Sequence, residues 1–145
     1  MRRISYLSAR ILHRCKKDKT KLYPGKLVYA TSSNKYGFKS GSLIKVSYLL
    51  KNTNWRGDPT GFIEAPLIEE VREAIKNKLK LEIFPLPTLI GIELKYKVGV
   101  VDLETLSVGV DESFYPSYED AIEQGCMRVI REFKGTNLSE GSFEE

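Results

Sequence analysis

His13, Cys15 and Cys126 are the residues best suited to nucleophilic chemistry, because the chain has one histidine and two cysteines. A Cys–His pair works when the imidazole sits beside the sulfur and favours its thiolate. His13 and Cys15 are two residues apart, and on a helix residues at that spacing do not face each other. Cys126 falls among apolar residues at helical spacing and reads as a small buried hydrophobe. His13 therefore reads as an ordinary histidine of a basic arm. The carboxylates Asp102, Glu104, Asp111 and Glu112 bracket a predicted hairpin and the loop after it. Gathered at one sheet end, they could bind a divalent cation through oxygen ligands. Dispersed, they are solvated turn residues, and that is the expectation. Arg56-Gly57-Asp58 has the form of an integrin-binding tripeptide and Asn137-Leu138-Ser139 that of a glycosylation acceptor. Both forms matter only in an exported chain. There is no phosphate-cradling glycine-rich loop ahead of a helix and no nucleophile elbow. The sequence thus assigns no catalytic residue, no cofactor and no metal, and a small carboxylate-based enzyme stands only as an alternative.

The stronger pattern is cationic and aromatic. Arg2, Arg3, Arg10, Arg14, Lys16 and Lys17 crowd the start of the chain. Lys35, Tyr36, Phe38 and Lys39 share one predicted loop, and Trp55 and Arg56 another. Cations can neutralise phosphates while aromatic rings stack on bases. Residues 1–51 carry 13 Lys/Arg and one acid, Asp18, a balance of 13 − 1 = +12. Residues 52–145 carry 10 Lys/Arg and 18 Asp/Glu, a balance of 10 − 18 = −8. Such asymmetry points to a nucleic acid or an acidic protein as partner of the basic region. Two other readings stay open: the halves neutralise each other, or the arm is simply solvated. A structural or assembly protein that docks on neighbouring subunits is a further alternative.

Composition bounds these readings. With 145 residues, 41% hydrophobic and 29% charged, the chain suits one folded domain rather than a disordered one. No apolar run is long enough to cross a membrane. Ile4 to Leu12 is interrupted by Ser5, Ser8 and Arg10, so no signal peptide is expected. Two distant cysteines give neither a disulfide framework nor a zinc pattern. The expected setting is a reducing cytoplasm, the interior of a host cell.

The elements that must position these residues form an α+β fold: an antiparallel meander sheet packed by two amphipathic helices, with a basic arm or short helix in front. Tyr6, Leu7, Ile11 and Leu12 make a helical stripe, with a strand over Ile4 to Leu7 as the competing reading. Lys26 to Thr31 and Ser42 to Leu50 read as strands, the second with Ile44, Val46, Tyr48 and Leu50 facing the core. The loop from Lys51 to Gly61 is the candidate boundary between a β part, about 1–61, and a helix–strands–helix part, about 62–135, of one domain. Ala65 to Leu79 is predicted as a helix with Pro66 in its first turn. Leu81 to Phe84 is a short strand ended by Pro85 and Pro87. Leu89 to Asp102 and Leu106 to Val110 form a hairpin. Ser117 caps a second helix in which Gly125 implies close contact with a strand, and Gly135 ends it. Residues 136–145 read as a disordered acidic tail.

The order helix, three strands, helix from about Glu64 onward resembles small uncharacterised proteins of phages and mobile elements of gut bacteria. The carrying residues are Ala65-Pro66 and the run Tyr115-Pro116-Ser117-Tyr118-Glu119-Asp120-Ala121-Ile122-Glu123-Gln124-Gly125. That run is similar to the group's aromatic, Ser-Tyr-Glu-Glu-Ala, Glu-x-Gly helix signature. It departs at Cys126-Met127, where the group has leucines, and the first helix lacks the group's tryptophan and glutamines. The resemblance covers about half the chain. It implies an α+β fold and a mobile-element origin, and no activity.

Overall fold

Ser5 opens the first helix, α1 (Tyr6–Cys15), as an N-cap: its hydroxyl accepts the Ser8 N–H at 3.2 Å. The computed structural model describes residues 2–15 and 21–132. Lys16, Lys17, Phe133, Gly135 and the acidic tail therefore lie outside the described residues. Residues 2–5 are extended rather than helical, and Arg3 bridges to Leu67. The short helix of the first reading forms, and the competing strand over Ile4 to Leu7 does not. Ala9 and Leu12 are buried, whereas Leu7, counted in the apolar stripe, is exposed.

The fold is α+β, with four helices and two three-stranded antiparallel sheets among the described residues. The first sheet has the order β2-β1-β3, from β1 (Leu27–Ala30), β2 (Leu43–Lys45) and β3 (Phe62–Glu64). Val28 and Ala30 lie on one face, with Ile44, Phe62 and Trp55 in a first apolar cluster. Tyr29 and Ile63 lie on the other and join the main core. The expected strand over Ser42 to Leu50 is corrected: after Lys45 the chain turns into a short helix, α2 (Val46–Asn52). Val46 and Leu49 are its buried residues, a spacing of three that suits a helix and not a strand, and Tyr48 is exposed. Residues 1–61 thus hold α1 and α2 beside β1 and β2. The loop read as a boundary also lies inside the sheet, since β3 returns after it to pair with β1.

The next helix, α3 (Ile68–Leu79), begins later than predicted, with Pro66 in the extended lead-in. The Pro66 carbonyl accepts the Ile4 N–H at 3.0 Å, and Glu70 receives the Leu67 N–H at 2.9 Å. The second sheet is a meander of β4 (Leu81–Ile90), β5 (Glu93–Asp102) and β6 (Val108–Tyr115). Pro85 and Pro87 do not end β4. They sit within it, opposite Val98 and Tyr96, on an edge strand whose outer side needs no N–H donor. The turn at Gly91-Ile92 likewise splits the long strand expected over Leu89 to Asp102.

Helix α4 (Tyr118–Glu132) starts where predicted, with the Ser117 hydroxyl accepting the Asp120 N–H at 3.0 Å. It packs with α1 and α3 in the main core, against Ile83 and Val98 of the second sheet. Gly125 faces those strands: a Cβ there would lie 2.6 Å from a Val98 methyl and 2.9 Å from an Ile83 methyl. Both neighbours are buried and β-branched, so neither rotates away freely. Gly125→Ala gains about 1 kcal/mol of helix propensity. Overpacking of this kind costs typically 1–3 kcal/mol. The variant is expected to be less stable than the wild type by about 1 kcal/mol net, read as a lower urea midpoint at unchanged m-value. A rise in midpoint would show that the contact is looser than the distances state.

Candidate functional site

Glu123 organises the start of the chain. It lies on α4 one turn before Met127 and is 3% exposed. Its Oε2 receives the hydroxyls of Ser8 at 2.7 Å and Ser5 at 2.8 Å, and its Oε1 receives the Arg2 guanidinium at 3.0 Å. Arg2 also donates to Asp120 at 2.8 Å, and its backbone N–H donates to Glu119 at 3.0 Å. The hydrogen bond from Arg2 holds the Asp120 carboxyl below its ordinary pKa. These acids lie at the N-terminal end of α4, where the helix dipole also favours negative charge. The clamp fixes residues 2–8 and with them the rotation of α1.

That rotation matters because Arg10, His13 and Arg14 are spaced i, i+3, i+4 and form one stripe. With Ala9 and Leu12 turned inward, the stripe borders an open cleft of about 590 Å³. The other wall comes from the loops after β1 and before β3, with Thr31, Ser32, Ser33, Ser40 and Thr60. Asn34 shapes the first loop: its side-chain oxygen accepts the N–H groups of Tyr36 and Phe38, and its nitrogen donates to the carbonyls of Thr31 and Phe38. Gly61 lets the second loop approach. Its φ is +89°, and a Cβ there would lie 2.5 Å from the Asn34 Cα, so only glycine fits. The Tyr6 hydroxyl meets that of Ser40 at 3.0 Å and joins α1 to the loop.

The cationic and aromatic residues singled out in the sequence divide. Arg10 and Arg14 line the cleft, and among the described residues neither is paired with a carboxylate. Lys35 and Lys39 are exposed on the loop that supplies Ser32, Ser33 and Ser40. Arg2 is removed from any free patch because it is matched to Asp120 and Glu123. Arg3 donates to the Ala65 carbonyl at 2.6 Å and ties the arm to the segment before α3. Trp55 is 1% exposed, with its indole N–H on the Asp58 carbonyl, so it is a core residue and not a stacking platform. Phe38 packs edge-on against Phe62 and Tyr48, and Tyr36 lies 6.0 Å from Phe62. Arg56 donates to the carbonyls of Thr53 and Trp55 beyond the end of α2.

The other chemistry weighed from sequence is taken up structurally. Burial pushes the Cys126 thiol up to about 12, far from a nucleophilic thiolate. Asp102 accepts the N–H groups of Glu104 and Thr105, Glu112 pairs with Lys97, and Asp111 pairs with Arg128. No group of three His, Cys, Asp or Glu side chains among the described residues could hold a metal ion. No helix among them is long and apolar enough to cross a membrane. The hydroxyl wall and Glu123 were missed in the sequence. Serines and threonines are too common to stand out, but a charged residue four before Met127 and three before Cys126, on an apolar face, was a usable signal.

No family model matches the chain, and neither a curated protein nor a solved structure matches it.

Glu123→Ala leaves Arg2, Ser5 and Ser8 without their shared acceptor and is expected to cost about 3 kcal/mol in urea unfolding. The depressed Asp120 pKa has its own signature. Its stabilising effect is present above the unfolded value of about 3.9 and is lost as pH falls through the lower folded value. The stability gap between wild type and Arg2→Ala should therefore narrow as pH is lowered through that range, and a gap constant with pH would contradict the pairing.

Proposed function

We propose that the protein is a non-enzymatic binding module whose cleft takes the phosphate backbone of a nucleic acid. One observation carries the reading: Arg10 and Arg14 stand one helical turn apart on the wall of an open cleft, unmatched by carboxylates among the described residues, with hydroxyl groups on the other wall. A turn of helix spaces them by about 6 Å along the axis, the scale of successive phosphates on a strand. Guanidinium groups and hydroxyls are the usual partners of phosphate oxygens. Lys39, exposed on the neighbouring loop, extends the positive field, while Lys35 is partly offset by Asp58.

The rings argue for phosphate contact over base contact. Trp55 is buried, Phe38 packs inward, and Tyr6 is held between Gly41, Tyr29 and Arg10. Base stacking needs an open ring face. The module is therefore expected to bind with little sequence preference. A phage or mobile-element origin, implied by the helix signature after Tyr115, belongs to the same proposal.

Fluorescence anisotropy with labelled single-stranded and duplex oligonucleotides, over salt from about 50 to about 200 mM, tests the reading. The expected log–log slope is about −2 to −4, equal for different base sequences, and Arg10→Ala/Arg14→Ala should make it shallower by about 2. Negligible binding at the lowest salt, or binding indifferent to the double variant, would remove nucleic acid from this cleft.

A further inference from the structure

Gly109 leaves a gap in the inner face of the second sheet. It pairs with Val100, and the next inward pair is Val98 with Asp111. A Cβ at Gly109 would meet nothing within 4 Å beyond its own chain neighbours, so a larger residue would fill space that now stands open. That space is a cavity of about 350 Å³ between the sheet and the second half of α4. Leu81, Val98 and Val100 of the strands and Val129 of the helix make its apolar wall. Gly125, pressed on Val98 and Ile83, adds no side chain from the helix. The volume falls at the lower end of the about 300–1,000 Å³ of small-molecule sites, which combine apolar walls with a few polar groups.

Charge selects the occupant. Asp102, Asp111 and Glu132 line the cavity, and Arg128 is the one cation among the described lining residues. Arg128 is already held by two of these acids, Asp111 at 3.1 Å and Glu132 at 3.4 Å. Asp102 is not: its Oδ1 accepts the N–H groups of Glu104 and Thr105, and no ion pair engages it among the described residues. Three carboxylates against one guanidinium give the apolar wall a negative rim. An anion would have to displace Asp111 or Glu132 from Arg128 and would then face the remaining acids. A cation meets Asp102 without breaking any pair. We propose that this cavity binds a small organic cation with an apolar body, an arylalkylamine, its ring against Val98, Val100 and Val129 and its ammonium group on Asp102. Asp102 and Val100 are successive inward residues of β5, about 7 Å apart along the strand. That step suits the span from ammonium to ring in an amine with a two-carbon linker. The cavity shares no lining residue with the cleft beside α1, so the proposal stands apart from the nucleic-acid reading.

NMR titration of the isotope-labelled full chain with phenethylamine, 2-phenylethanol and phenylacetate tests it. The three probes share a ring and carry a positive, a neutral and a negative head at neutral pH. Phenethylamine should bind at least about tenfold more tightly than the alcohol, with amide shifts centred on Gly109 and Val129, and phenylacetate more weakly still. Asp102→Asn keeps an acceptor for the turn N–H groups and should bring amine and alcohol within about threefold of each other. Gly109→Leu fills the cavity and should abolish binding. Gly109 lacks a positive φ, so a side chain is tolerated there, and a urea midpoint verifies that the variant folds. Should it not fold, Gly109→Ala is expected to weaken binding by at least about threefold. No saturable shift with the amine, an alcohol or carboxylate bound as tightly, or amine binding indifferent to the Gly109 and Asp102 variants overturns the proposal.

Discussion

A carboxylate buried to 3% exposure needs partners for its oxygens, and the architecture is arranged around meeting that need at Glu123. Two serine hydroxyls and one guanidinium supply them, all from the first eight residues. The chain start is thereby committed to α4, more than a hundred residues away in sequence. Once Ser5 and Ser8 are held, α1 can bury Ala9 and Leu12 in only one rotation, and that rotation turns Arg10, His13 and Arg14 to the cleft. Tyr29 adds a second tie, its hydroxyl donating to the Ile4 carbonyl at 2.6 Å. Burial, with the Glu123 charge in a lesser role, keeps that phenol's pKa above its ordinary value, so it remains a donor.

The imbalance of charge along the chain resolves into two populations. Part of the basic excess is matched internally: Arg2 with Asp120 and Glu123, and Lys26 with Glu64. The acids of the later residues also serve their own neighbourhood, as Asp111 does with Arg128 and Glu112 with Lys97. Arg10 and Arg14 on α1 are not paired with a carboxylate among the described residues, and Lys35 lies close enough to Asp58 to help lower that carboxyl's pKa. Net charge alone does not separate these populations, because pairing depends on which residues the fold brings within about 4 Å.

The helices α3 and α4 were legible because each sustains apolar residues at 3.6 spacing over several turns, with acids early and lysines or arginine late. The strand contact of Gly125 was legible from its cost in a helix interior. The passage from Lys45 into α2 was not: Ile44, Val46, Tyr48 and Leu50 alternate as in a strand, and Val46 and Leu49 fit a helix as well. Over seven residues the two periods are hard to tell apart, and packing under Trp55 decides between them. β3 escaped because three residues carry no period. The prolines of β4 misled because a proline ends a central strand yet is harmless on an edge, and edge position is a property of the assembled sheet. The cleft was half legible: Arg10 and Arg14 were named, but the burial of Trp55 and the pairing of Arg2 arise from contacts distant in sequence.

The layering explains why one face is left over. A sheet with apolar residues on both sides needs cover on both. The first sheet has it: α2 and the Trp55 loop pack on one side and the main core on the other. The second sheet receives α3 and α4 on its inner side, and α1 is already held at the clamp, so no described helix is left for its outer side. Phe84, Val101, Val108 and Val110 stand there in register, with Lys95 and Lys97 in the rows beyond them, so the outer side mixes apolar and charged residues. β6, an edge strand, carries Asp111 and Glu112, charged side chains of the kind that discourage edge-to-edge contact. On the outer side the Lys97–Glu112 pair, with the Lys97 ammonium over the Phe114 ring, shields part of the apolar surface, which is how an outward sheet face does without a helix of its own.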